Sequence, residues 1–174
     1  MSVGDQTQYD ASANASLKES KELPYSVLMS VYAKESPEYL VEALHSMLAQ
    51  TVPPEQIVLV EDGPLTHELD NAINVFHEQH AGLLDLVVLP KNEGLGSALA
   101  HGVPECRNEI IARMDSDDYS FSTRMEKELA VMSDHNLDMV GSQIVEFIKD
   151  PYHPVAESDL PIDQQSIVSY SKKR

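Results

Sequence analysis

The sequence predicts an α/β fold in which a mostly parallel, Rossmann-like sheet is flanked by helices. From residue 23 to about residue 148, short runs rich in β-branched residues alternate with stretches of helical periodicity, which is typical of successive βαβ units. Most of these runs are too apolar to face water, as expected of strands covered on both faces. A chain of 174 residues is long enough to form one domain with a sizeable core.

Five strands are predicted from these apolar runs, at residues 25–31, 56–60, 84–89, 109–114 and 139–148. Helices are predicted between them. In the first helix Ser36 is a good N-cap, Pro37 suits the first helical position, and large apolar residues recur on one face until about Gln50. The same periodicity places three more helices at about residues 66–80, 95–103 and 122–135. A last segment begins with prolines and turns helical near Ile162.

Composition divides the chain into three parts. Residues 1–22 are rich in Ser, Ala, Gln, Asp and Lys and contain almost no large aliphatic residue, so they are predicted to form a disordered tail. Residues 23–150 carry the alternating pattern of the predicted domain. Residues 151–174 follow that pattern as a short final segment.

The charge of the chain limits its partners. A formal net charge of −17 argues against nucleic acid and against anionic membrane surfaces, whereas a divalent cation is compatible with it. Cys106 is the only cysteine, so the chain forms no internal disulfide. No apolar run reaches the length of about 18 residues that a membrane span needs, and the N-terminus lacks the pattern of a secretory signal. We therefore expect a cytoplasmic protein.

Polar side chains follow four of the predicted strands. In open α/β sheets, ligands bind outside the carboxyl ends of the strands, at the point where the strand order reverses. We therefore expect these polar side chains to converge on one crevice. They are Ser30, Tyr32 and Glu35 after the first strand, Glu61 and Asp62 after the second, Asn92 and Glu93 after the third, and Asp115, Ser116, Asp117 and Asp118 after the fourth.

The aspartates after the fourth strand, in "IIARMDSDDYS", allow several interpretations. An EF-hand is disfavoured, because Ser120 stands where that loop requires glycine and a strand precedes it. An aspartyl phosphotransferase usually carries its Asp-x-Asp pair after the first strand, and helix capping explains one aspartate better than three. The remaining interpretation is a hard cation held by Asp-x-Asp together with the oxygens of a diphosphate.

The glycines of "GLGSAL" imitate a dinucleotide-binding fingerprint. Gly94 and Gly96 match its first two glycines, and Asp115 lies about twenty residues further on, where a ribose-binding acid would stand. Leu99 occupies the place of the third glycine, and the preceding strand is the third rather than the first. These departures disfavour a dinucleotide site.

Four segments taken together resemble a known family. In order and spacing, "SVLMSVYAKESPEYLVEALHSMLAQT", "IVLVEDG", "LPKNEGLGSALAHGV" and "IIARMDSDD" are similar to the donor-binding half of family 2 inverting glycosyltransferases, which have the GT-A fold. The likeness covers about residues 25–150 and is closest to bacterial exopolysaccharide and lipopolysaccharide transferases. It implies metal-dependent, inverting transfer of a sugar from a nucleotide diphosphate sugar, most commonly a UDP-sugar, to a saccharide or lipid-linked acceptor. Mn²⁺ or Mg²⁺ is the implied cofactor.

The resemblance also implies roles for individual residues. Tyr32 would stack on the base, Asp62 would contact the edge of uracil, and Asp117 would bind the metal directly. Glu35 would lie near the ribose or base, and Asp115 near the ribose and the sugar. The full set implied for the donor is Ser30, Val31, Tyr32, Glu35, Asp62, Asn92, Gly94, Asp115, Ser116 and Asp118.

The acceptor half of the reaction has no matching residues in this chain. Inverting transfer needs a carboxylate that takes the proton from the acceptor hydroxyl. No acid after Asp118 lies in a context that matches the family, so we expect the base beyond Arg174 and interpret residues 151–174 as the incomplete start of an acceptor-side segment. The chain alone would then bind donor without measurable transfer and self-associate through apolar residues near 155–170. The full-length enzyme could lie at the inner membrane, and a nucleotide-sugar-binding module without transfer activity is the alternative.

Overall fold

The computed structural model of the protein describes residues 23–158 and 160–172, and the tail predicted at residues 1–22 lies outside these ranges. Four parallel strands form its main sheet: β1 (Tyr25–Val31), β2 (Gln56–Glu61), β3 (Leu84–Val88) and β4 (Ile110–Arg113). Their order across the sheet is β3-β2-β1-β4. The chain therefore builds outward from β1 in one direction and then places β4 on the opposite side of β1.

Helices cover both faces of this sheet, which confirms the predicted fold class. The helices of the described residues are α1 (Pro37–Leu48), α2 (His67–Gln79), α3 (Leu95–Gly102), α4 (Arg124–His135) and α5 (Gln164–Ser171), and a 3-10 turn lies at Val103–Glu105. Side chains of α1, α2 and α4 pack on one face of the sheet and those of α3 on the other. The predicted cap of α1 is present, since the Ser36 hydroxyl accepts a hydrogen bond of 3.3 Å from the Tyr39 N–H. Thr66 caps α2 in the same way, through the Leu69 N–H.

The two faces of the sheet form separate hydrophobic clusters. Alternate residues of β1, from Tyr25 to Val31, pack with α1, α2 and α4 in the larger cluster, whose largest helical side chain is Phe76. Leu28 of β1 and Val58 and Val60 of β2 face the other way and pack against α3. Because β1 is buried on both faces, its run of apolar residues is needed for both clusters.

Gly102 allows α3 to lie directly on the sheet. A Cβ atom at this position would lie 2.4 Å from Leu28 Cδ1 and 2.8 Å from Val60 Cγ2, both closer than carbon atoms can approach. Gly96, on the same helix, has no atom within 4 Å of the equivalent position. The two glycines of α3 therefore differ in what they do, since only Gly102 is required by packing.

The fifth strand predicted over residues 139–148 is wrong in its extent and in its partner. Only β5 (Val145–Glu146) forms there, and it pairs antiparallel with β6 (Ala156–Glu157) in a separate two-stranded sheet. Met139 is 82% exposed and Ile148 is 76% exposed, so this apolar run is not covered as a central strand would be. The loop between β5 and β6 spans the predicted boundary at residue 150.

In the part of the chain that the structure describes, no helix combines the length and the apolar character needed to cross a bilayer. Several apolar side chains between residues 155 and 170 are exposed, including Val155, Ile162 and Ile167. Self-association through this region stays a prediction.

Replacing each glycine of α3 with alanine should change stability in opposite directions. Gly102→Ala forces a methyl group against Leu28 and Val60, and overpacking of this kind costs about 1–3 kcal/mol. Gly96→Ala meets open space and gains helix propensity of up to about 1 kcal/mol. Chemical denaturation of both variants measures the two effects. Equal stability of both would show that the sheet side chains move aside without cost.

Candidate functional site

A cavity of about 390 Å³ opens at the carboxyl edge of the main sheet, where the strand order reverses between β1 and β4. The segments that follow all four parallel strands contribute to its wall. The lining residues are Ser30, Tyr32, Glu35, Asp62, Asn92, Gly94, Leu95, Asp115, Ser116 and Asp117. We call this space the switch-point cavity.

Every predicted site residue except Val31 and Asp118 lines the switch-point cavity. Val31 is fully buried and belongs to the core beneath α1 and α2. Asp118 lies on the other side of the same loop and lines two neighbouring cavities. Leu95, the first residue of α3, is part of the wall but was not predicted, because a leucine at a helix start carries no distinctive chemical signal.

The buried carboxylate of Asp62 holds the loop after β3 in place. Asp62 is 4% exposed, and its two side-chain oxygens accept hydrogen bonds from the Glu93 N–H at 2.7 Å and the Gly94 N–H at 2.9 Å. The Asn92 side-chain amide donates to the Asp62 carbonyl at 3.2 Å. A charged acceptor strengthens such bonds, so Asp62 fixes the position of two cavity residues. Its predicted contact with uracil stays a prediction.

Gly63 brings the loops after β2 and β3 into direct contact. Its φ angle is +86°, which side chains rarely adopt, and a Cβ atom there would lie 2.5 Å from the Asn92 backbone nitrogen. Backbone atoms cannot turn aside as a flexible side chain can. Glycine is therefore required at this position for the wall of the cavity to close.

Glu35 and Ser116 join the loops on the opposite wall. Glu35 accepts hydrogen bonds from the Ser36 N–H at 2.8 Å and from the Ser116 hydroxyl at 3.1 Å. The segment after β1 is thereby attached to the aspartate loop after β4, which comprises residues 115–118. Beyond that loop, the buried side chain of Gln50 donates to the Phe121 carbonyl at 3.0 Å and accepts from the Met125 N–H at 3.0 Å.

The carboxylates of the aspartate loop repel one another and are only partly compensated. Burial raises the pKa of Asp118, and the nearby charges of Asp115 and Asp117 raise it further, while Arg113 and Arg124 act in the opposite direction. Arg113 forms an ion pair with Asp115. The loop therefore carries excess negative charge that a cation would relieve.

The residues fit a divalent cation that a ligand helps to hold. The described residues contain no group of three or more His, Cys, Asp or Glu side chains arranged to enclose a metal. Asp115 and Asp117 nevertheless line the same cavity. Mg²⁺ sites commonly use one or two carboxylates and take their other ligands from water and substrate phosphate, and oxygen ligands also suit Mn²⁺. Asp115 and Asp117 therefore suit a metal site in which a phosphate-bearing ligand supplies further oxygen ligands.

Glu61 ends β2, directly before the cavity residue Asp62, and the ionisation of its carboxyl group is unfavourable. Burial raises the pKa of its carboxyl, and the charge of Asp70 on α2 raises it further. A raised pKa means that the folded protein binds a proton at Glu61 more readily than the unfolded chain does. Ionised Glu61 therefore destabilises the fold at neutral pH.

Residues 26–172 match the family described as Glycosyl transferase family 2. An Erwinia amylovora protein described as amylovoran biosynthesis glycosyltransferase AmsE is 36% identical over 153 residues, covering 86% of this chain and 55% of that protein. An Escherichia coli protein described as UDP-Gal:alpha-D-GlcNAc-diphosphoundecaprenol beta-1,3-galactosyltransferase is 35% identical over 151 residues, covering 86% of this chain and 54% of that protein. The chain spans about half the length of the curated relatives it matches.

A solved structure shows a similar fold. The crystal structure of Staphylococcus aureus TarS residues 1–349 in complex with UDP-GlcNAc superposes with a TM-score of 0.54 at 25% sequence identity. The superposition covers 65% of this chain and 32% of that one.

Asp62→Asn should loosen the loop after β3. Asparagine offers one acceptor oxygen, so one of the two backbone N–H groups loses its partner, at a cost of about 1–3 kcal/mol in the free energy of unfolding. Amide hydrogen exchange at Glu93 and Gly94 should accelerate together with this loss. Asp117→Asn is the control, because it removes the same charge from an exposed side chain of the same cavity. Equal destabilisation by both variants would contradict the role of the two hydrogen bonds.

Glu61→Gln should stabilise the fold at pH 7 and have no such effect at about pH 3.5. The unfavourable ionisation exists only above the unfolded-state pKa of about 4.3, so the gain is complete at neutral pH and vanishes once both states are protonated. Denaturation curves at the two pH values measure the difference. Glu55→Gln, at an exposed loop position, removes the same charge and should show no comparable gain at pH 7. A gain for Glu61→Gln that persists at low pH would exclude the electrostatic cause.

Proposed function

Because this chain belongs to glycosyl transferase family 2, we propose that its switch-point cavity binds a nucleotide diphosphate sugar, most commonly a UDP-sugar. The parallel sheet with flanking helices is the predicted GT-A fold. We further propose that the protein catalyses metal-dependent, inverting transfer of the sugar to a saccharide or lipid-linked acceptor in bacterial surface polysaccharide synthesis. The descriptions of the Erwinia amylovora and Escherichia coli relatives as glycosyltransferases support this class of reaction.

One observation carries the proposal. Side chains from the carboxyl ends of four parallel strands line a single cavity at the topological switch point, and nearly all of them belong to the set implied by the family resemblance. Residues as distant in sequence as Ser30 and Asp117 meet there only if the whole sheet is in the correct register. Ligands of open α/β sheets bind at this position.

Tyr32 supplies the surface for a nucleotide base. The residue is 43% exposed and lines the switch-point cavity, and a flat aromatic face of this kind stacks on a pyrimidine. Hydrogen-bonding groups for the rest of the nucleotide are offered by Glu35, Asn92 and the backbone around Gly94. UDP-GlcNAc bound to the structurally similar Staphylococcus aureus TarS supports uridine as the base.

The charge of the cavity requires a cation if a diphosphate is to bind. Four carboxylates line it, from Glu35, Asp62, Asp115 and Asp117, and no lysine or arginine is among the described lining residues. An anionic diphosphate would meet strong repulsion there. Asp117, with Asp115 beside it, would hold Mn²⁺ or Mg²⁺ against the diphosphate. The cation, when bound, neutralises the negative charge that develops on the departing nucleotide.

The remaining residues keep this arrangement fixed before the ligand arrives. Asp62 orients the loop that carries Asn92 and Gly94, and Glu35 ties the aspartate loop to the segment after β1. A loop already ordered in the free protein loses less conformational entropy when a ligand binds. The chain therefore contributes to departure of the nucleotide by holding these loops in place before the donor binds.

UDP should bind weakly in the presence of a chelator and much more tightly with Mg²⁺ or Mn²⁺. Ligand at about 100 times its dissociation constant should stabilise the fold by about 2.7 kcal/mol, which a thermal shift detects. Asp117→Asn should abolish the enhancement by metal without unfolding the protein, because Asp117 is exposed. Asp134→Asn, an equal change of charge on α4, should leave the enhancement intact.

Equal affinity for UDP in chelator and in metal would contradict a metal-dependent donor site. An Asp117→Asn variant that kept the enhancement would instead assign the metal contact to Asp115 or Asp118. A panel of UDP, GDP, dTDP and CDP, each tested with Mg²⁺, identifies the preferred nucleotide in the same assay.

A further inference from the structure

A second cavity, of about 600 Å³, lies on the other side of the aspartate loop. Helix α1 and residues 144–149 form its walls together with that loop. Asp117 lines both this cavity and the switch-point cavity, so the two spaces are separated by a single loop. A ligand in the second cavity would therefore lie beside the position proposed for the diphosphate and its sugar. We call this space the adjacent cavity.

The walls of the adjacent cavity combine aromatic rings with carboxylates. Tyr39 of α1 is 54% exposed, and Tyr119 follows the aspartate loop. Glu42 of α1 and Glu146 of β5 are exposed acids in the same wall. A pyranose ring has an apolar C–H face that packs against aromatic rings and hydroxyl groups that donate to carboxylates. The wall therefore offers the two kinds of contact that a sugar needs.

Tyr119 is held in position before any ligand binds. Its hydroxyl shares a hydrogen bond of 3.2 Å with the Tyr152 hydroxyl, and its ring makes edge-to-face contacts with Phe121 and Tyr152 at centroid distances of 5.9 and 6.1 Å. The hydrogen bond to Tyr152 is the largest cause of a raised pKa at Tyr119. Tyr39 is carried by the capped first turn of α1. The Tyr119 ring, held by these contacts, loses little freedom on binding.

The charge of the adjacent cavity selects against anions. Glu42, Asp117, Asp118 and Glu146 face one basic residue, Lys149, among the described lining residues. A phosphate or a uronic acid would be repelled by this excess of carboxylates, whereas a neutral sugar would not. Among saccharides, this charge favours an uncharged sugar over an anionic one.

We propose that the adjacent cavity binds a neutral pyranose of the acceptor. The C–H face of the sugar packs on Tyr119, and its hydroxyl groups donate hydrogen bonds to Glu42 and Glu146. This inference rests on the proposed function and assigns the acceptor side of the same site. Its position across the aspartate loop from the switch-point cavity brings an acceptor hydroxyl near the donor sugar. Tyr39 supplies the second aromatic contact.

Saturation-transfer NMR with methyl α-glucoside, methyl α-galactoside and methyl α-N-acetylglucosaminide tests the proposal. At least one glycoside should receive saturation from the protein, and saturating UDP with Mg²⁺ should not displace it. Tyr119→Ala and, separately, Tyr39→Ala should weaken glycoside binding at least tenfold while UDP binding is retained. Because Tyr39 is exposed, Tyr39→Ala should leave the fold intact. Tyr32→Ala is the reciprocal control and should lose UDP but keep the glycoside.

The outcomes separate this proposal from the proposed function. Binding of UDP without binding of any glycoside would overturn the adjacent cavity alone, whereas failure to bind UDP with metal would overturn the donor site. Displacement of the glycoside by UDP would show that the sugar occupies the switch-point cavity and would also overturn the proposal. Methyl glucuronide binding as tightly as methyl glucoside would overturn the selection for neutral sugars.

Discussion

The pairing of β1 with two parallel neighbours is the constraint on which the rest of the structure depends. β1 pairs with β2 from Ser26 to Val31 and with β4 from Tyr25 to Leu28, and its side chains supply both hydrophobic clusters. Because the chain leaves β1 in one direction and returns to its other side with β4, the loops after these strands diverge and leave a crevice between them. The apolar sequence of one strand therefore determines where a polar cavity can form.

Hydrogen bonds of buried and partly buried side chains hold this crevice in a fixed shape. Asp62 accepts hydrogen bonds from two backbone N–H groups of the loop after β3, and Gly63 lets the loops after β2 and β3 touch. On the opposite wall, Glu35 accepts a hydrogen bond from Ser116. No side-chain nitrogen or oxygen buried in the described part of the chain lacks a hydrogen-bond partner. A buried carboxylate is costly unless it is bonded in this way. The same bonds that compensate for its burial also order the residues around the ligand.

Elements that follow from local periodicity can be predicted from the sequence. Prediction fails where a strand must pair with residues distant in the sequence. Ser36 and Pro37 mark the start of α1, and polar residues after each strand identify the cavity, because parallel strands end at the same edge of a sheet. Residues 139–148 have strand-like composition, yet only β5 forms, since composition does not supply a hydrogen-bonding neighbour. The bonds from Asp62 to backbone amides could not be predicted either, because every non-proline residue carries an N–H group.

Both cavities beside the aspartate loop are rich in carboxylates. The switch-point cavity contains carboxylates without a basic residue among its described lining, so the nucleotide that we propose there would need a divalent cation to offset the repulsion. The adjacent cavity is also acidic, but an uncharged sugar neither needs a cation nor is repelled. The donor and the acceptor that we propose would therefore differ in their need for a cation, although Asp117 belongs to both walls. The carboxylates that repel one another in the free loop would thus hold a cation on the proposed donor side and disfavour an anionic ligand on the proposed acceptor side.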